Sequence, residues 1–192
     1  KNLGTLVADL NHARERYREK LKAEPKYFSY PYGEYTADFL NAVSKQGFVA
    51  AFGQQSGAIG KSSPRNSLPR FTMIDDFSDI ERFRLTATSL PLPVTDVEPS
   101  TTWINTNPPH PGFTVADSVP ANDLKKIKCF ASGVGKVDVE KIGARHFEIR
   151  LSNGFEDSKG RLNCTIPAPP IDGTDDVRWR WLGFQFTVPD NL

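Results

Sequence analysis

The stretch Phe28-Ser29-Tyr30-Pro31-Tyr32-Gly33-Glu34-Tyr35 holds the residue types and spacing most suited to chemistry. It closes a short aromatic run bounded by prolines and precedes a helical pattern, which places it at the C-terminal end of a strand. Active sites of β/α barrels sit at that end of their strands. A backbone N–H in a Pro-Tyr-Gly turn can point outward and serve as an oxyanion donor. Three tyrosines this close, Tyr30, Tyr32 and Tyr35, can also offer flat apolar faces to a sugar ring. The bland alternative is a proline-glycine turn with packed aromatics.

Other chemical signatures are missing. The chain has no HExxH, no CxxC and no glycine-rich phosphate loop. It has no G-x-S-x-G elbow either. His12, His110 and His146 fall on a helix face, in a proline-rich stretch and on a strand, and nothing in their spacing joins them. Zinc needs three or four protein ligands, which this chain does not visibly supply. Trp179 and Trp181 share one face of the last expected strand, and Trp103 lies in the proline-rich stretch. Exposed, these rings would stack on pyranoses; buried, they are core.

Several elements must hold the tyrosine turn in place. Leu3, Leu6, Val7, Leu10, Tyr17 and Leu21 recur at helical spacing, which predicts an amphipathic helix over 2–22 that Pro25 stops. Arg14, Glu15, Arg16, Arg18, Glu19 and Lys20 read as its solvated face. Lys26–Tyr30 reads as a strand. Thr36–Gln46 reads as a helix ended by Gly47, and the apolar run 48–52 as a buried strand. This α-β-α-β order predicts a parallel sheet with helical cover. A long loop spans 54–70, and Ser78 with Glu81 forms a capping box for a helix over about 79–88.

Seven prolines between Pro91 and Pro120 predict a linker, or a linker plus an edge strand, and no central strand. Beyond it the period changes to two. Strands are expected at 125–130, 136–141, 146–151, 161–166 and 178–188, with a bulge or bend at Gly183 where the alternation changes phase. The fold class is therefore α+β: an incomplete β/α segment over 1–90, then an all-β sandwich over 91–192 whose first part, 91–120, is the linker.

Charge is nearly balanced, with 24 Lys+Arg against 23 Asp+Glu, which argues against a nucleic-acid partner. No apolar run approaches the roughly 20 residues of a transmembrane helix, so no integral membrane protein is expected. The chain opens on Lys1 without Met or signal peptide, which suggests a processed or excised piece. Cys129 and Cys164 lie in separate expected strands. They are either two buried thiols or a disulfide, which would imply an oxidising compartment. Asn163-Cys164-Thr165 matches a glycosylation acceptor, but inside a strand it reads as coincidence.

Pro31-Tyr32-Gly33-Glu34-Tyr35, preceded by Lys26-Tyr27-Phe28-Ser29-Tyr30, resembles the third motif of polysaccharide deacetylases of the NodB-homology type. The charged helix before it and the run Phe48-Val49-Ala50-Ala51-Phe52-Gly53-Gln54-Gln55-Ser56-Gly57 after it are also similar to that family, over residues 1–90. More weakly, Leu162-Asn163-Cys164-Thr165 and Arg178-Trp179-Arg180-Trp181 resemble a β domain appended to some of its members.

The resemblance implies metal-dependent hydrolysis of N-acetyl groups on an N-acetylglucosamine-type polymer, within a deformed β/α barrel. It implies a divalent, zinc-like metal and an extracytoplasmic bacterial protein, periplasmic or secreted. Tyr32 matches the backbone amide of the oxyanion hole, and Pro31 and Gly33 the turn around it. Tyr30, Pro31, Gly33 and Tyr35 are the expected substrate-binding residues.

The family's aspartate motif and its paired histidines are absent, and Ser29 stands where its third motif has arginine. Asp76-Phe77-Ser78-Asp79 matches its Asp-x-x-Asp-Trp motif only loosely and serves better as a helix cap. No metal ligand is assigned in this chain. The isolated chain is therefore expected to be inactive, with its partner the missing N-terminal half of the domain or a second copy. The alternative from a different class is a non-catalytic carbohydrate-binding or interdomain scaffold module.

Overall fold

The computed structural model describes residues 3–190. Helix α1 (Leu3–Leu21), strand β1 (Tyr27–Ser29), helix α2 (Ala37–Ser44) and strand β2 (Ala50–Phe52) follow in that order. β1 and β2 pair in parallel, with Phe28 opposite Ala51. Parallel neighbours need a crossover, which α2 supplies. Thr36 caps α2, its Oγ1 accepting the Phe39 N–H at 3.3 Å. The core here is Leu10, Tyr30, Tyr35, Val43 and Ala51, with Phe28, Phe39, Leu40 and Phe48 against it. The Tyr30 ring meets Phe28 and Phe39 edge-on, both at 5.2 Å.

The apolar stripe expected on α1 is mostly uncovered. Leu10 is its one buried residue, while Leu3, Tyr17 and Leu21 are exposed. Arg14 leaves the solvated face assigned to it. It lies one turn beyond Leu10 on the packed side, where its Nη1 donates to the Gln46 carbonyl at 2.8 Å and its guanidinium lies over Phe48. The helix ends at Lys22, left-handed at φ 52 with its N–H on the Arg18 carbonyl, ahead of Pro25.

Helix α3 (Ile80–Thr88) is capped by Asp79 rather than Ser78. A 3-10 turn at Asp75–Phe77 engages Ser78, whose Oγ donates to the Asp75 carbonyl. The Asp79 carboxylate then accepts the Arg82 N–H at 2.8 Å.

The remaining strands are β3 (Leu90–Pro91), β4 (Val94–Glu98), β5 (Gly112–Val115), β6 (Lys128–Ala131), β7 (Gly135–Lys141), β8 (His146–Arg150), β9 (Lys159–Ala168) and β10 (Arg178–Thr187). They form one hydrogen-bonded sheet in the order β3-β10-β9-β6-β7-β8-β5-β4. The expected sandwich is thus a single curled sheet. β7 makes the curl, because its first half pairs with β6 and its second half with β8. The two ends of the sheet then share one core: Phe113 of β5 and Phe184 of β10 lie 6.3 Å apart between ring centres.

The proline-rich stretch 91–120 is more structured than a linker. β3 and β4 are the sheet edges, where proline is tolerated. β5 is interior, pairing with β4 and β8, and it begins directly after Pro111. The prolines flank this strand and do not interrupt it.

Gly183 makes no bulge, since β10 pairs with β9 in unbroken register from Arg178–Ala168 to Thr187–Lys159. Cys129 faces Cys164 across β6 and β9, and the two form a disulfide. Both are fully buried. The Asn163 Oδ1 accepts the Trp181 Nε1–H at 3.0 Å, so this side chain is engaged within the sheet. Among the described residues no helix is long and apolar enough to cross a membrane.

Candidate functional site

The turn after β1 is built by Pro31 and Gly33. Pro31 opens a 3-10 turn, and its fixed φ suits the first position. Tyr32 takes φ 56 and ψ 10, the left-handed region. For a residue with a Cβ this costs about 1–2 kcal/mol, so other contacts must hold it. Gly33 follows at φ 73, and a Cβ there would meet the Gln54 Cβ at 2.6 Å. Only glycine meets both conditions.

The peptide groups of this turn are pinned one by one. The Gly33 N–H donates to the Tyr30 carbonyl at 2.9 Å, and the Glu34 N–H to the Pro31 carbonyl at 3.1 Å. In a trans peptide the N–H points opposite its C=O. The Pro31 carbonyl is turned into the loop, so the Tyr32 N–H on the same peptide is turned out of it. That N–H has no hydrogen-bond acceptor among the described residues.

The three tyrosines separate sharply. Tyr32 is 71% exposed, whereas Tyr30 is 1% and Tyr35 7% exposed. The Tyr30 hydroxyl donates to the Asn66 carbonyl at 2.8 Å. Burial pushes the pKa of Tyr30 well above the ordinary phenol value. Burial also raises Tyr35, with a bond to Ser67 opposing the shift. Their rings are core, so of the three expected faces only that of Tyr32 is open to solvent. Period and composition could not separate them, since each tyrosine can either pack or stack.

Two residues of the sheet and one of the loop between β4 and β5 reach the corner at points that sequence reading missed. Gln185 Nε2 of β10 donates to the Tyr32 carbonyl at 2.9 Å. Lys159 Nζ of β9 lies 4.8 Å from the Tyr32 ring centre and pairs with Glu34 at 2.9 Å. Thr102 Oγ1 accepts the Tyr35 N–H at 2.8 Å and donates back to the Tyr35 carbonyl. One signal was available: Gln185 is a lone amide between Phe184 and Phe186 in an otherwise apolar run.

A cavity of about 320 Å³ lies between the loop after β2, the segment 91–102 and β10. Tyr35 and Trp181 line it, but Tyr32 does not. The Trp181 ring packs edge-on against Phe71 at 5.2 Å and is half-buried. Trp103 is 40% exposed.

Residues 3–51 match the family model described as polysaccharide deacetylase. The match covers α1, β1, the tyrosine corner, α2 and most of β2, and it stops before the sheet. It supports a deacetylase-related, hydrolytic function. No curated protein matches the chain, and no solved structure does. The divalent metal of that family finds no fit here, because among the described residues no three His, Cys, Asp or Glu side chains come together to hold one.

Proposed function

We propose that this chain supplies the oxyanion-stabilising wall of a polysaccharide deacetylase acting on N-acetyl groups of an N-acetylglucosamine-type polymer. The observation that carries the reading is the Tyr32 N–H, turned outward and without an acceptor, inside the segment that matches the family model. When water adds to the acetyl carbonyl, its oxygen gains negative charge. A fixed N–H about 2.7–3.1 Å from that oxygen lowers the barrier, because it needs no reorientation as the charge develops. Pro31 and Gly33 fix the donor. The exposed Tyr32 ring borders the sugar, and Tyr30 and Tyr35 support the turn from behind.

A bound divalent metal would supply Lewis-acid activation of carbonyl and water. No residue set described here fits it, so no step is drawn through it. We assign metal and general base to protein outside residues 1–192, either an upstream half of the same domain or a second copy. The open side of β1, whose one strand partner among the described residues is β2, supports such a cover, as does exposed Tyr27. The disulfide supports an extracytoplasmic setting, periplasmic or secreted. Under this reading the curled sheet is a scaffold for the corner. The contacts of Gln185, Lys159 and Thr102 favour that role over sugar binding by Trp181, which is packed on Phe71.

The test is acetate release from an acetylated chitooligosaccharide with a divalent metal present. The isolated chain should show no turnover, and the protein at its full native length should be active. Replacing the Tyr32 amide by an ester removes the N–H, keeps every side chain and weakens the Pro31 carbonyl only as an acceptor, and it should lower kcat about 100-fold. Robust turnover by the isolated chain, or full activity of the ester form, would overturn the assignment.

A further inference from the structure

We propose that Gln185 is a positioning residue for the Tyr32 amide, so that the oxyanion corner is assembled across both parts of the chain. This rests on the functional reading above and deepens it. The corner matches the deacetylase family, but the residue that completes its hydrogen bonding comes from the last strand, outside the match.

The geometry is specific. The peptide between Tyr32 and Gly33 is held from both ends, its N–H by the Tyr30 carbonyl and its C=O by Gln185 Nε2, each at 2.9 Å. With that plane fixed, ψ of Tyr32 is fixed, and the left-handed φ then sets the direction of the Tyr32 N–H. Without Gln185 the Tyr32 carbonyl loses its side-chain donor, and the strained residue is freer to relax toward the ordinary helical or extended regions.

Gln185 also sits at a cost that packing does not explain. It is 4% exposed, and its Oε1 is buried without a partner. A half-satisfied buried amide is less favourable than an apolar side chain of the same shape. What the amide provides here is the donor aimed at Tyr32. Thr102 holds the other end of the corner through Tyr35, and its own carbonyl accepts the Thr187 N–H at 2.7 Å, so both clamps are tied to β10.

The experiment compares Gln185→Met with Thr187→Val in the 192-residue chain by amide exchange. Met keeps length and apolar volume and removes the donor. Thr187 is on the same strand and buried, but its hydroxyl has no partner, so its loss breaks no hydrogen bond. Gln185→Met should speed exchange of the Gly33 N–H about five- to tenfold, the effect of one buried hydrogen bond on a local opening. The amides of α2 and of β9 should keep their rates, and Thr187→Val should leave Gly33 unchanged. Unchanged Gly33 exchange in Gln185→Met, or an equal acceleration of all amides, would overturn the positioning role.

A second arm uses the full native length. There Gln185→Met should lower kcat with KM held, because the amide acts on the developing oxyanion and not on ground-state sugar binding. Altered Gly33 exchange with kcat unchanged would leave the clamp standing and remove its link to catalysis. Absence of deacetylase activity in the unaltered protein would sink the functional reading, while the exchange arm still decides the clamp.

Discussion

Gly183 of β10 lies against the backbone of Ser56: a Cβ added at Gly183 would stand 2.1 Å from the Ser56 carbonyl oxygen and 2.7 Å from its nitrogen. The loop after β2 therefore rests directly on the sheet, and a glycine is what permits it. Gly183→Ala should destabilise the chain by about 2 kcal/mol or more, since backbone on both sides must move. Gly143→Ala is the control, because nothing lies within 4 Å of a Cβ there. Urea midpoints of the two variants check this. Similar midpoints would mean that the loop yields easily.

Gly33 and Gly47 separate two reasons for glycine. Both are left-handed, at φ 73 and 76. A Cβ at Gly33 meets Gln54, while one at Gly47 meets nothing within 4 Å. Gly47→Ala should cost about 1 kcal/mol, the backbone penalty alone. Gly33→Ala should cost about 2–3 kcal/mol, because the clash adds to it. Equal losses in chemical denaturation would show that Gln54 moves aside freely.

What could be read in advance depended on range. The helical pattern over 36–46 and the apolar run 48–52 are local signals, and α2 and β2 formed within them. The cap of α3 slipped from Ser78 to Asp79 because a preceding 3-10 turn engages Ser78. Gly183 was visible as an anomaly, but its cause is a loop 127 residues earlier in the chain, at Ser56. β5 was hidden because its prolines lie outside it. The sandwich became one curled sheet because β7 changes partners midway, and alternation along a strand does not specify its partners. At the site, the turn was legible from Pro31 and Gly33. The burial of Tyr30 and the donor from Gln185, 153 residues from Tyr32, were tertiary facts.

The disulfide between Cys129 and Cys164 spans 35 residues of sequence and joins two neighbouring strands in the core. Closing a loop of that length restricts the unfolded chain and stabilises the fold by about 3–4 kcal/mol. Replacing both cysteines by alanine should lower stability by roughly that amount. Because both sulfurs are buried, alkylation should require denaturant together with reductant. Mass spectrometry checks this. Alkylation of the native chain without reductant would show free thiols.

Tyr30 and Tyr35 should make the fold labile to alkali. Burial raises both phenol pKa values, so the neutral form is the folded one. An unfolded tyrosine ionises near pH 10. Below about pH 10 both states hold the proton, and the stability is fully present. Above it the unfolded chain releases protons that the folded chain keeps, and stability falls by about 1.4 kcal/mol per pH unit for each tyrosine until the folded pKa is reached. Tyr30→Phe and Tyr35→Phe should each remove one such contribution from the slope. At neutral pH, Tyr30→Phe should cost about 1 kcal/mol, because the Asn66 carbonyl loses its hydroxyl donor. Urea midpoints measured on both sides of pH 10, with tyrosinate absorbance followed in parallel, decide the matter. A flat profile through that window would mean that the two rings reach water more readily than their burial indicates.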